Sequence, residues 1–205
     1  MIKPATRIQE KNRASILAAG LAVFSQYGFR GATLDQIAEA AGLSKPNLLY
    51  YFPGKEAVHA ALLEGLLHTW LDPLRALNPA GDPLAEIQAY VARKLALSRD
   101  YPRESRLFAN EILQGAPRIE PALTGELKTL VDGKAAVIAG WIAQGRIAPV
   151  DPYHLIFSIW ALTQHYADFD VQVRAVLGPD KPDAYPAAGA FLQTLFTRLL
   201  AVRPD

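Results

Sequence analysis

The sequence predicts an all-α protein. Apolar residues recur at three- and four-residue intervals over long windows, strand-like alternation is nearly absent, and glycine or proline stands at the ends of those windows. At 205 residues and 51% hydrophobic, the chain can bury one substantial core and a small satellite core.

The elements follow in order. Ile16, Leu17, Leu21, Val23 and Phe24 lie along one stripe of a helix predicted over 8–27, and Gly28 stands just past its end. Thr33 is placed to cap a second helix, with Gln36 three residues later as in a capping box. Gly42 breaks that helix, and Ser44 can cap a two-turn helix over 45–51 that tolerates Pro46 in its first turn. Pro53 and Gly54 make a turn, after which Lys55 opens a long apolar-striped helix reaching Trp70. Pro73, Pro79, Gly81 and Pro83 mark a loop. Further helices are expected over 84–99, 103–114, 123–146, 153–176 and 187–202, separated by Pro102, by Gly115 to Pro117, by Pro149 and Pro152, and by a proline-rich loop over 178–186. That makes about nine helices.

Composition narrows the function. There is no cysteine, hence no disulfide framework and no thiolate metal site. No run approaches the roughly 18 apolar residues needed to span a bilayer, and residues 1–11 lack the apolar core of a secretory signal. A soluble cytoplasmic protein, with no membrane partner, is the expectation. The net charge of +1 hides an asymmetry: up to Lys55 seven cations face three anions, a balance of +4, and the remainder is −3. Basic charge gathered at one end is what a phosphate-binding part requires.

The basic end also carries the most specific pattern. Two short helices joined by a tight glycine turn form a helix-turn-helix, and the second is proportioned to enter a major groove. Ala38, Ala40, Ala41 and Gly42 allow the pair to cross closely. Ser44, Lys45, Asn47 and Tyr50 occupy positions from which phosphates or base edges can be reached. An ordinary helical hairpin with solvated polar residues is the alternative.

The run "ILAAGLAVFSQYGFRGATLDQIAEAAGLSKPNLLYYFPGKEAV" resembles the N-terminal domain of the TetR family of regulators. The stretches "SRDYPRESRLFANEILQGAP" and "LIFSIWALTQHYADFDVQV" are similar to the ligand domain of that family's regulators of pyrimidine utilization. The resemblance implies a helix-turn-helix DNA-binding domain over 1–54 and an effector-binding and dimerization domain over 55–205. It implies a homodimer on a palindromic double-stranded operator, with affinity set by a small effector. Its DNA contacts fall on Thr33, Ser44, Lys45, Asn47 and Tyr50, with Tyr51 and Lys55 as phosphate contacts. Thr33 and Lys55 stand at helix N-termini, which favour anions. Pro46 departs from the small or polar residue many members carry there, so base specificity is expected to differ.

In the remainder, Trp160 and Gln164 share a helix face at i and i+4. An indole plane beside a carboxamide suits a flat heterocycle with an imide edge, such as uracil or thymine. Gln164 is the odd member, since a glutamine in an apolar helix is costly to bury unpartnered. Carried over from the resemblance, Trp70, Trp160 and Gln164 are the leading effector contacts, followed by Lys94, Phe108, Asn110 and His165. A different small aromatic or apolar effector is the alternative. His165, Asp168 and Asp170 lack further ligands at metal spacing, and neither a nucleophile–base pair nor a phosphate loop is present, so no catalytic residue, metal or cofactor is expected. A helical enzyme or a structural dimer without DNA is the remote alternative.

Leu155, Ile156, Ile159, Leu162, Phe191, Leu192, Leu195, Phe196 and Leu199 are too many large apolar residues for one surface pair of helices. Pairing with a symmetry mate would give an isologous four-helix bundle. The helix from Lys55 to Trp70 would then couple effector to DNA by tilting.

Overall fold

A computed structural model describes residues 7–180 and 183–202; Lys3, one of the N-terminal cations, lies outside them. Among the described residues there are helices and no strands. They run α1 (Arg7–Gly31), α2 (Leu34–Ala40), α3 (Lys45–Tyr51), α4 (Lys55–Arg75), α5 (Pro83–Asp100), α6 (Pro102–Leu113), α7 (Glu120–Ala122), α8 (Lys128–Ala143), α9 (Pro152–Asp168), α10 (Asp170–Leu177) and α11 (Tyr185–Leu200).

The punctuation acts as local chemistry requires. Gly28 takes φ 67° and ψ 170°, breaking α1 so that Phe29 to Gly31 form a separate turn. Thr33 caps α2 with both halves of the capping box. Gly42 takes φ 69°, and the Ser44 hydroxyl accepts from the Asn47 amide. Asp82 and Asp151 cap α5 and α9, each followed by proline at the first helical position, where no donor is lost.

Three elements depart from the expectation. The fourth helix continues to Arg75 with Pro73 inside it; the lost donor is local, and the ladder resumes where the Ala76 amide donates to the Asp72 carbonyl at 3.0 Å. The helix expected over 123–146 opens with a π-helical turn, Leu123–Leu127. The helix expected over 153–176 is two helices: α9 stops at Asp168, Phe169 takes φ −114° and ψ 28°, and α10 begins at Asp170. Neither glycine nor proline marks that break. It coincides with a tertiary bond, in which the Ser105 hydroxyl donates to the Asp168 carboxylate at 2.6 Å.

The chain packs as two units, 1–67 with 106–119, and 68–105 with 120–205. The division therefore falls inside α4 and inside α6 rather than at residue 54, because the first half of α4 packs into the N-terminal core. That core gathers Ile16, Phe24, Ile37, Leu48, Phe52 and Val58. Gly20 is required within it: a Cβ there would stand 2.7 Å from Val58 Cγ1. In the second unit α5 packs between α9 and α11, around Ile87, Tyr90, Ile156, Ile159, Leu192 and Phe196. No helix among the described residues is long and apolar enough to cross a membrane.

Candidate nucleic-acid interface and effector site

Leu48 alone of α3 is fully buried, which turns Ser44, Lys45, Asn47 and Tyr50 outward together. Tyr50 is 70% exposed. Tyr51 is half-buried and meets the Tyr50 ring edge-on at 5.1 Å. The Lys45 ammonium pairs with Asp35 at 2.9 Å on the surface, an exchangeable contact of small energetic weight. Thr33 is exposed at the start of α2. Lys55 is spent differently. Its ammonium donates to the carbonyls of Phe29 at 2.9 Å and Ala32 at 2.8 Å, and lies 4.8 Å over the Phe29 ring, so it closes the end of α1.

Three residues outside the expected set hold the far end of α3. Gln9 donates to the Tyr50 hydroxyl at 3.1 Å, Asn12 donates to the Tyr51 hydroxyl at 2.9 Å, and the Arg13 guanidinium lies 4.4 Å over Phe52. The i, i+3, i+4 spacing of Gln9, Asn12 and Arg13 was the available signal.

A charged cluster is buried in the same unit. Glu111 accepts from the Arg118 amide and guanidinium at 2.9 and 2.8 Å, and Arg118 lies 3.6 Å over Phe29. His59, 3% exposed, meets Phe24 and Phe29 edge-on and stands 4.0 Å from Glu111. Burial and then the Arg118 charge hold its pKa down to about 4, against a smaller upward pull from Glu111. Phe108 and Asn110, expected near an effector, belong to this unit, half-buried and exposed respectively.

In the second unit the α5–α9 contact assembles the remaining polar candidates. Trp160 Nε1 donates to the Tyr90 hydroxyl at 2.6 Å. One turn along α5 from Tyr90, Lys94 is 2% exposed, with its ammonium 5.6 Å over the Trp70 ring. Burial lowers the Lys94 pKa to about 7, and Asp168 pulls the other way. Trp160, Gln164 and Asp168 are spaced at four-residue intervals on α9, so half-buried Gln164 lies on the same face one turn from each. Trp70 is buried with an unpartnered indole N–H. Trp70 thus meets Lys94, Trp160 bonds to Tyr90 one turn away along α5, and Gln164 shares the α9 face of Trp160; Tyr90 was not among the expected contacts. His165 is exposed and stacks on Phe169 at 5.0 Å.

A cavity of about 580 Å³ lies elsewhere in this unit, between α5 and α11, lined in part by Ala92, Leu95, Leu192 and Phe196; none of the expected effector residues lines it. Among the described residues no group of three or more acidic or histidine side chains is placed to hold a metal.

Residues 16–62 match the family described as bacterial regulatory proteins, tetR family, and residues 63–203 match the C-terminal region of YcdC-like proteins. The HTH-type transcriptional regulator RutR of Escherichia coli K12 is 56% identical over 173 residues, spanning 84% of this chain and 82% of that protein. The chain belongs to the TetR family. As a TetR-family protein it is a ligand-responsive transcriptional regulator and not an enzyme. A more distant relative, the regulator EthR of Mycolicibacterium smegmatis, is 26% identical over 132 residues, 63% of this chain and 60% of that protein. Solved structures share the fold. A TetR-like regulator from Rhodococcus sp. RHA1 superposes with TM-score 0.69 at 19% identity, over 95% of this chain and 97% of its own. AibR, solved with isovaleryl coenzyme A and operator DNA, gives 0.70 at 18% identity, over 90% of this chain and 97% of its own.

Proposed function

We propose that this regulator is a homodimer that binds a palindromic operator and senses a pyrimidine, uracil or thymine, in the cytoplasm. The observation that carries the effector reading is the α5–α9 region. It holds a buried cation, an unpartnered indole N–H, a carboxamide and a carboxylate beside two indole rings. A pyrimidine-dione offers carbonyl acceptors, N–H donors and a flat face, and each has a counterpart: Lys94 and Trp70 donate, Asp168 accepts, Gln164 does both, and Trp160 supplies a surface. The resemblance to pyrimidine-utilization regulators points the same way. Thr33, Ser44, Lys45, Asn47, Tyr50 and Tyr51 are the DNA contacts of this reading, and Lys55 braces α1 behind them. Because α4 carries both Lys55 and Trp70, a ligand touching Trp70 would bias its tilt and so the spacing of two recognition helices, which must match half-sites about 34–36 Å apart.

The test is calorimetric titration of uracil and thymine into the wild-type protein and Gln164→Ala. Loss of the carboxamide leaves imide groups unpartnered and should weaken binding about tenfold to hundredfold. A wild-type protein that ignores pyrimidines defeats the effector assignment, while equal binding to both proteins defeats the placement of the site.

A further inference from the structure

The first turns of α1 and the last turn of α3 meet residue for residue: Gln9 on Tyr50, Asn12 on Tyr51, Arg13 on Phe52. We propose that Asn12, seconded by Gln9, is a positioning residue for DNA binding, which sets the tyrosine hydroxyl as a hydrogen-bond donor toward backbone phosphate. The proposal rests on the reading of Tyr50 and Tyr51 as DNA contacts.

The chemistry is specific. A phenol oxygen has one proton to give and two lone pairs to fill. In both pairs the carboxamide nitrogen is the donor and the phenol oxygen the acceptor, at 2.9 Å for Asn12 and 3.1 Å for Gln9. The bond from α1 therefore occupies a lone pair and leaves the hydroxyl proton for a group outside the pair. A phosphate oxygen takes only donors, so the orientation matches. Accepting a bond also polarises the O–H and strengthens it as a donor. A hydroxyl-bearing or acidic side chain at position 12 could accept that proton and turn it inward. The arrangement further limits ring rotation: Tyr51 is held by Asn12 on one side and by the Tyr50 ring at 5.1 Å on another. Less freedom is then lost when DNA arrives.

Phosphate contacts act on any sequence, so a labelled random-sequence duplex at low salt is a sufficient probe. Its affinity is measured for wild type, Asn12→Leu, Tyr51→Phe and the double variant, with thermal melting as the check on folding. Asn12→Leu should weaken binding about threefold to tenfold when Tyr51 is present and have no effect in the Tyr51→Phe background, since the amide acts through the hydroxyl. The salt slope should stay the same throughout, because the donor is uncharged. Equal weakening in both backgrounds, or a changed slope, overturns the proposal, as does an Asn12→Leu protein that binds like wild type. If Tyr51→Phe alone has no effect, the tyrosine contact itself is wrong and the proposal falls with it. Asn12→Ala, which removes the donor without adding bulk, replaces Asn12→Leu should that variant fail to melt cooperatively.

Discussion

Lys94 and Lys55 show how two lysines of one chain come to unlike uses. Lys55 donates to the carbonyls left over at the end of α1, so its removal should cost stability before it costs DNA contact. Lys55→Ala is expected to lower unfolding free energy by about 1.5–3 kcal/mol in denaturant titrations, the range for hydrogen bonds to a charged group, and to leave the salt slope of DNA binding unchanged. Lys94 is buried, with its pKa brought down to about 7. Its ammonium is therefore half-populated near neutrality. Binding of an effector carbonyl that prefers the ammonium form will draw a proton from solvent onto the Lys94 amine, so affinity should fall as pH rises from about 7 to 9. Calorimetry in two buffers of different ionisation heat reads the proton directly, and Lys94→Met should flatten the dependence.

The junction of α1, α4 and α6 carries its own pH signature. His59 has its pKa held to about 4 in the fold, while the unfolded chain titrates near 6.5. The unfolded state thus binds more protons between those values. Stability gained above pH 6.5 is lost as pH falls toward 4, with a slope of at most about 1.4 kcal/mol per pH unit. His59→Phe, which stays aromatic beside Phe24 and Phe29, should reduce that slope in urea melts at pH 4.5, 5.5 and 6.5. An unchanged slope would assign the acid sensitivity to carboxylates instead. The caps are more ordinary. Ser44→Ala removes the oxygen that receives the Asn47 amide and should cost roughly 1 kcal/mol in thermal unfolding.

The structure divides the apolar residues of the last helices between core and surface. Leu155, Ile156, Ile159, Leu192 and Phe196 are buried within one chain, and Leu195 packs partly against them. Phe191 at 58% and Leu199 at 45% remain exposed on α11, and Tyr153 and Phe157 are exposed on α9. These exposed residues are what a partner protomer would cover. Leu199→Glu should therefore give a folded monomer in sedimentation at micromolar concentration, with weakened operator binding. Leu195→Glu should instead lower the melting temperature. A wild-type protein that sediments as a dimer together with a Leu199→Glu protein that does the same would move the proposed interface elsewhere.

What the sequence determined by itself is local. Gly28, Thr33 with Gln36, Gly42, Ser44 with Pro46, and Asp151 with Pro152 encode breaks and caps through bonds spanning a few residues, so α2 and α3 were legible to their ends. The exposed face of α3 follows from the same periodicity once Leu48 is known to pack inward. The contacts that decide the rest join residues far apart in the chain. Nothing near Phe169 announces the end of α9; Asp168 receives a hydroxyl from Ser105, 63 residues earlier. Trp160 meets Tyr90 across 70 residues, and Asn12 meets Tyr51 across 39. Lys55 reads locally as a phosphate ligand, yet the carbonyls of Phe29 and Ala32 claim its ammonium. Helix periodicity reports which residues share a face. Which two faces meet depends on packing the whole chain, because burial energy is nearly indifferent to partner while a hydrogen bond is not.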